Sequence, residues 1–206
     1  MSDRATVPTV LLGTTNRDKL REMTGLLADL PVEWRSLADY PGLAPVEETG
    51  ATYLDNARLK ATHYARATGL TAIGEDSGFE VDAMGAGPGV QSARFIHPDA
   101  TYPERFAEIY RRVGAGGAGG AARFVCALVL ASPDRVLFET RQTVEGVLSP
   151  APRGSQGFGY DPLLLVPSLG RTLAEVTESE KSGISHRGGA VRALRDYLER
   201  GFDNVT

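Results

Sequence analysis

The sequence predicts an α/β protein. Short apolar runs of strand length alternate with helix-spaced apolar stripes along most of the chain. A strongly apolar stretch, Arg123 to Ala131, is followed after Pro133-Asp134 by the alternating run Val136 to Val147, the pattern of a long antiparallel hairpin with one wet face. Helix start and stop signals fall where the pattern needs them, at Thr52 with Asp55 and at Gly69.

In chain order, Val7 to Gly13 reads as a buried first strand that runs into Thr14-Thr15-Asn16-Arg17-Asp18-Lys19. Leu20, Met23, Leu27 and Leu30 then recur at helical spacing, with Thr15 or Asn16 suited to capping. A strand, polar turn and helix start is a geometry in which backbone N–H groups can hold phosphate oxygens, although the GxxxxGK[ST] spacing of a P-loop is absent. Val32 to Leu37 suggests a second strand, and a loop follows that ends in the acidic pair Glu47-Glu48. A helix is expected from Thr52 to about Thr68; Asn56 and Lys60 share one face of it, as a solvated pair or a phosphate-facing one.

Leu70 to Ile73 is apolar and leads to Glu75-Asp76, two adjacent carboxylates in what reads as a turn of small residues at a strand end. Burying both is costly unless a cation shares the site, so the stretch is either a hard-metal site or a solvated turn. Met84 to Val90 is a glycine-rich turn region, Tyr102 to Val113 a helix, and Gly114 to Gly120 a flexible surface connection with no assigned function. The glycines around Phe158-Gly159-Tyr160-Asp161 suggest backbone that approaches a partner closely; either aromatic could face a flat base or pack in the core. Leu163 to Val166 reads as a strand. Further on, Ser185 is a natural N-cap for a helix that carries Val191, Leu194 and Leu198 inward and stops at Gly201. His186 and Arg187 put positive charge in the first turn of that helix, where its dipole disfavours it, and Gly188-Gly189 weaken the same turn. Such a start suits an anion or nucleotide, while a lone histidine there is more simply a surface residue.

Composition narrows the field. Hydrophobic content of 42% and charged content of 23% are those of an ordinary soluble protein, and 206 residues suffice for one core or one core split into two lobes. A net charge of −4 offers no broad basic footprint for nucleic acid, and no window reaches membrane-spanning length. The first nine residues have no apolar signal core, and the single cysteine, Cys126, excludes an intramolecular disulfide; a cytoplasmic setting is the expectation. Of the 22 basic residues only Lys19, Lys60 and Lys181 are lysines, which marks them as places where a compact point charge is wanted. No Cys/His cluster has zinc spacing, so Mg²⁺, or Mn²⁺, on carboxylates is the fitting cofactor. Ser77 lacks the GxSxG surroundings of a hydrolase nucleophile. Two acidic pairs, a helix-start loop with a lysine, an aromatic loop and a cationic helix start are together the parts of a nucleoside triphosphate site.

Six ordered motifs give this list a family likeness: Thr14-x-Asn16-x-x-Lys19; Glu47-Glu48-Thr49-Gly50-x-Thr52 with Asn56-Ala57-x-x-Lys60-Ala61; Asp76-Ser77-Gly78; Gly87-Pro88-Gly89-Val90-x-Ser92-Ala93-Arg94; Gly157 to Pro162; and Lys181-x-x-Ile184-Ser185-His186-Arg187. From Val10 to about Leu198 the chain resembles the inosine triphosphate pyrophosphatase family, also called non-canonical purine NTP pyrophosphatases. The resemblance implies an α/β fold with a long mixed β-sheet and flanking helices, a single domain over 1–206 with two lobes around a central nucleotide cleft, and a homodimer. It implies hydrolysis of ITP, dITP and XTP to the monophosphate and pyrophosphate, which cleanses the nucleotide pool. By position, Asp76 would be general base and metal ligand, Glu47 a second ligand, and Thr14, Thr15, Asn16, Arg17, Asp18, Lys19 and Ser77 phosphate contacts. Phe158, Gly159, Tyr160, Asp161, Lys181, His186 and Arg187 would read base and ribose. Glu75 stands where the family often has a first aspartate, which leaves its role open. A nucleotide sensor without turnover and a pyrophosphatase for other modified nucleotides are the rival readings.

Overall fold

The computed structural model describes residues 7–201; the first six residues of the expected signal-free N-terminus lie outside them. The chain opens with two parallel pairings made by strand β1 (Thr9–Gly13). Helix α1 (Arg17–Leu27) returns it to β2 (Glu33–Ser36), and helix α2 (Tyr53–Thr68) returns it to β3 (Thr71–Val81) on the other flank of β1. Crossovers of this kind are how parallel neighbours are joined. Next come β4 (Gly87–Pro88), which pairs antiparallel with the end of β3, and helix α3 (Tyr102–Val113). The predicted hairpin is β5 (Ala121–Ala131) and β6 (Val136–Leu148), turned by a bond from the Ser132 N–H to the Arg135 carbonyl. β7 (Leu164–Val166), β8 (Arg171–Thr172), α4 (Glu178–Ile184) and α5 (His186–Arg200) complete the described chain. The sheet is mixed and eight-stranded, in the order β2-β1-β3-β5-β6-β7-β8, with β4 added to β3.

The chain forms two compact units. The first comprises the chain up to Asp76, Ala127–Arg141 and the chain from Ala190 on; the second comprises Ser77–Cys126 and Gln142–Gly189. Each has an apolar cluster. Leu11, Tyr64, Ala65 and Ala72 centre one, covered by Leu37, Tyr40, Leu43 and Val46. Phe79, Phe95, Ile109, Phe124, Leu148, Tyr160 and Leu163 belong to the other.

Caps set most helix ends where the sequence placed them. Thr52 and Asp55 form a reciprocal capping box on α2, and Gly69 ends it in the left-handed region at φ 74°. Asn16, rather than Thr15, caps α1, its side-chain oxygen accepting from the N–H groups of Asp18 and Lys19 at 3.0 Å each. Ser185 caps α5 as expected, accepting from the Gly188 N–H. The run before it, given no structure in the sequence reading, is the short helix α4, capped by Thr177 with Glu180.

One expectation is overturned. Glu75-Asp76 is not a turn but the middle of β3, an 11-residue strand whose pattern is buried almost throughout. Local composition misleads here because the strand's charges are neutralised by side chains from elsewhere in the chain. Gly74 explains how α2 comes close enough: a Cβ at that position would lie 2.1 Å from the Ala57 carbonyl oxygen and 2.5 Å from the Ala61 nitrogen. Helix and strand therefore touch backbone to backbone. We expect Gly74→Ala to cost about 3 kcal/mol or more, since both obstructing atoms are backbone. Gly25→Ala, in α1 with nothing within 4 Å, is expected to leave stability unchanged or raise it by up to about 1 kcal/mol. Thermal denaturation of the two variants checks the contrast.

Candidate active site

Alternation along β3 sends successive side chains to opposite faces of the sheet. Gly74 and Asp76 therefore share the face that α2 covers, and Glu75 points to the other. On its face Glu75 meets Lys19 of α1 in an ion pair of 2.9 Å, with the carboxylate only 1% exposed. On the opposite face Asp76 accepts a hydrogen bond from the Asn56 carboxamide at 2.9 Å and lies 3.8 Å from the Lys60 ammonium. Asn56 and Lys60 are four apart on α2, one turn above the other, and both are buried. The solvated reading of that pair fails: its polar ends face a carboxylate, not water.

The same two residues bring in the second acidic pair. Asn56 uses its carboxamide oxygen to accept from the Gly50 N–H at 2.8 Å, and Lys60 donates to Glu48 at 2.6 Å. Glu48, Asn56 and Lys60 thus frame Asp76, although the sequence reading gave none of them a site role; the i, i+4 spacing of Asn56 and Lys60 was the available signal. Glu47 is exposed and enters none of these bonds.

Electrostatics follow from this packing. Burial pushes the Asp76 carboxyl above its ordinary range, opposed by the charges of Lys60 and Lys19 and by the Asn56 bond. Burial works against the Lys60 ammonium, but Asp76 and then Glu48 outweigh it and hold its pKa above the usual lysine value. A carboxylate that burial still disfavours as an anion, with one lysine 3.8 Å away, is stabilised by further positive charge. Among the described residues no group of three or more His, Cys, Asp or Glu side chains is placed to hold a metal unaided. A donor set of one or two carboxylates suits Mg²⁺, which completes its shell with water and substrate phosphate oxygens.

Between Gly13 and α1, Thr14 accepts from the Asn16 N–H at 3.2 Å, which sets the loop. Asp18 pairs with Arg21 at 2.7 Å, and Thr15, Asn16 and Arg17 are exposed.

The second unit holds the other predicted group. Lys181 is buried in an ion pair of 2.6 Å with Asp161, whose same oxygen accepts from the Phe158 N–H at 2.8 Å. The Phe158 ring is half-buried, with the Lys181 ammonium 4.7 Å and the Arg187 guanidinium 5.4 Å from its centroid. Arg187 also donates to the Ser77 hydroxyl at 3.0 Å, joining two of the predicted residues directly. Gly157 and Gly159 take φ values of 70° and 66°, which this loop requires. A Cβ at Gly157 would fall 2.1 Å from an Asp161 carboxylate oxygen.

The two aromatics of the loop part company. Tyr160 is a core residue, stacked on Phe79 at 5.4 Å and donating its hydroxyl to the Ser92 carbonyl at 2.9 Å. Any ligand contact from Tyr160 falls to its backbone, which leaves Phe158 as the candidate platform. His186 is not a surface histidine: it is 3% exposed and stacks coplanar on Phe124 at 4.8 Å. Phe124 carried no signal in the sequence beyond an apolar strand position.

Known proteins match this chain over nearly its whole length. A profile of the Ham1 family matches residues 10–197. A dITP/XTP pyrophosphatase of an Exiguobacterium species is 44% identical over 185 residues, covering 90% of this chain and 94% of that protein. A dITP/XTP pyrophosphatase of Thermus thermophilus is 48% identical over 193 residues, covering 93% and 92%. The solved structure of a HAM1 protein from Coxiella burnetii superposes with a TM-score of 0.86 at 36% identity, covering 94% of this chain and all of that one. With its motifs, its mixed sheet and its matches over nearly the whole length in accord, the chain belongs to the Ham1 family.

Proposed function

We propose that this protein is a Mg²⁺-dependent pyrophosphatase for dITP, XTP and ITP, which it hydrolyses to the monophosphate and pyrophosphate. The observation that carries the reading is Asp76, a carboxylate buried in a strand, raised in pKa and oriented by Asn56 and Lys60. A carboxyl so tuned suits a general base. The names of the relatives in Exiguobacterium and Thermus thermophilus give the substrate class.

In this reading Asp76 takes the proton of a water that attacks the α-phosphorus, the α–β bridging bond breaks, and the pyrophosphate leaves with its charge met by Lys19. The chain from Thr14 to Lys19 and the Ser77 hydroxyl hold phosphate oxygens. Asp76 and Glu47 would hold the metal, which supplies charge neutralisation at the phosphates when bound. Phe158 supports the base, while Gly159, the Tyr160 backbone, Asp161, Lys181, His186 and Arg187 contact base and ribose. Lys181 and Arg187 are buried donors suited to a 6-keto oxygen; the 6-amino group of adenine would leave them unpaired. A homodimer is part of the proposal, as is a cytoplasmic setting, with which the buried free thiol of Cys126 agrees.

Pyrophosphate release measured over dITP, XTP, ITP, ATP and GTP with Mg²⁺ tests the proposal. Turnover of the first three is expected, with ATP lower in kcat/KM by about 10²-fold or more. Orthophosphate as the product, or no turnover of any of the five, would overturn it. Asp76→Asn is expected to lower kcat by about 10³-fold with folding kept, as read by circular dichroism and steady-state kinetics. Lys60→Met removes the largest charge that opposes burial at Asp76. The carboxyl then ionises only at higher pH, so the acid limb of kcat/KM should move upward, whereas an unmoved limb would take Lys60 out of this role.

A further inference from the structure

We infer that Glu75 is a positioning residue that seats Lys19, and not a ligand of the metal. The inference rests on the proposed function and assigns an acidic residue of the site whose role the motifs leave open. Glu75 and Asp76 are consecutive in a continuous strand, so their carboxylates leave it on opposite faces. Asp76 meets α2 and Glu75 meets α1, so an ion held by Asp76 on the α2 face would take its other ligands from that side. The Glu75 carboxylate is almost wholly enclosed, and the cation it faces is already present: Lys19, at 2.9 Å.

The geometry also says what that contact does. Lys19 lies in the first turn of α1, where Asn16 has gathered the Asp18 and Lys19 N–H groups onto its own side chain. Its long, flexible side chain has to lie in one direction if its ammonium is to meet a developing pyrophosphate. The Glu75 carboxylate, in the middle of β3, faces that ammonium from the enclosed side, its side chain 1% exposed against 15% for Lys19.

The experiment combines an activity-free readout with kinetics. The three lysines can be followed separately by mass spectrometry after trace labelling with acetic anhydride. In Glu75→Gln we expect Lys19 to label several-fold faster than in the parent while Lys181 keeps its rate and Lys60, on which the Glu75 charge also acts, changes less than Lys19. Kinetically, kcat should fall about tenfold, while the Mg²⁺ concentration for half-maximal activity stays unchanged. In a Lys19→Met background the Glu75→Gln change should add no further loss. A Lys19 labelling rate equal to the parent's, a raised Mg²⁺ requirement, or full additivity with Lys19→Met would each overturn the assignment. Should Glu75→Gln fail to fold, Glu75→Asp carries the same test, with kcat reduced and the Mg²⁺ requirement unmoved. Because labelling needs no turnover, failure of this inference and failure of the proposed reaction give different results.

Discussion

Two adjacent carboxylates in the interior of a strand are the constraint on which the first unit depends. Left alone they would keep β3 from forming there, since each ionised group loses its water on burial. The chain resolves this by dividing the charges between the faces of the sheet. Glu75 is met by a lysine from the helix after β1, Asp76 by a lysine and an asparagine from the helix before β3. The two crossover helices are therefore electrostatic components of the site as well as packing elements. Asn56 and Lys60 each have a second partner in the Glu48–Gly50 segment, so the loop is ordered by the same residues that orient the acid. Removing either would leave several buried polar groups without their bonds at once.

The second unit follows a related logic with different chemistry. Its cations gather on the edge of a core built from Phe79, Phe124 and Tyr160. Lys181 and Arg187 both lie against the Phe158 ring, and each is also held by a named oxygen, that of Asp161 or Ser77. Positive charge at the start of α5 is unfavourable by the helix dipole, and two glycines weaken the turn further. Stability has been set aside there in favour of a fixed cluster of donors, with Phe124 and His186 stacked beneath it.

Much of this was legible in the chain itself. Strand runs, helical stripes, the Thr52-Asp55 cap and the Gly69 stop depend on neighbours within a few residues, and they fell close to where the sequence placed them. The six motifs also brought forward Asp76, Lys19, Lys181, His186 and Arg187, the residues the proposed function uses. What was not legible depends on distant partners. Glu75-Asp76 looked like a turn because nothing nearby shows that Lys19 and Lys60 arrive to neutralise it. Asn56 and Lys60 stayed open between a solvated and a phosphate-facing reading because a polar pair on an alanine-rich helix carries no mark of which way it faces. Tyr160 and Phe158, two residues apart, could not be told apart until the core claimed one of them.

Gly74 has a consequence for how the protein tolerates change. The atoms that exclude a side chain there are the Ala57 carbonyl and the Ala61 amide, which every residue type carries. Trimming a neighbouring side chain therefore makes no room. Relief for a side chain at position 74 has to come from a displacement of the α2 backbone itself. Position 74, without any chemistry of its own, thus sets how closely α2 can bring Asn56 and Lys60 to the carboxylate two residues along.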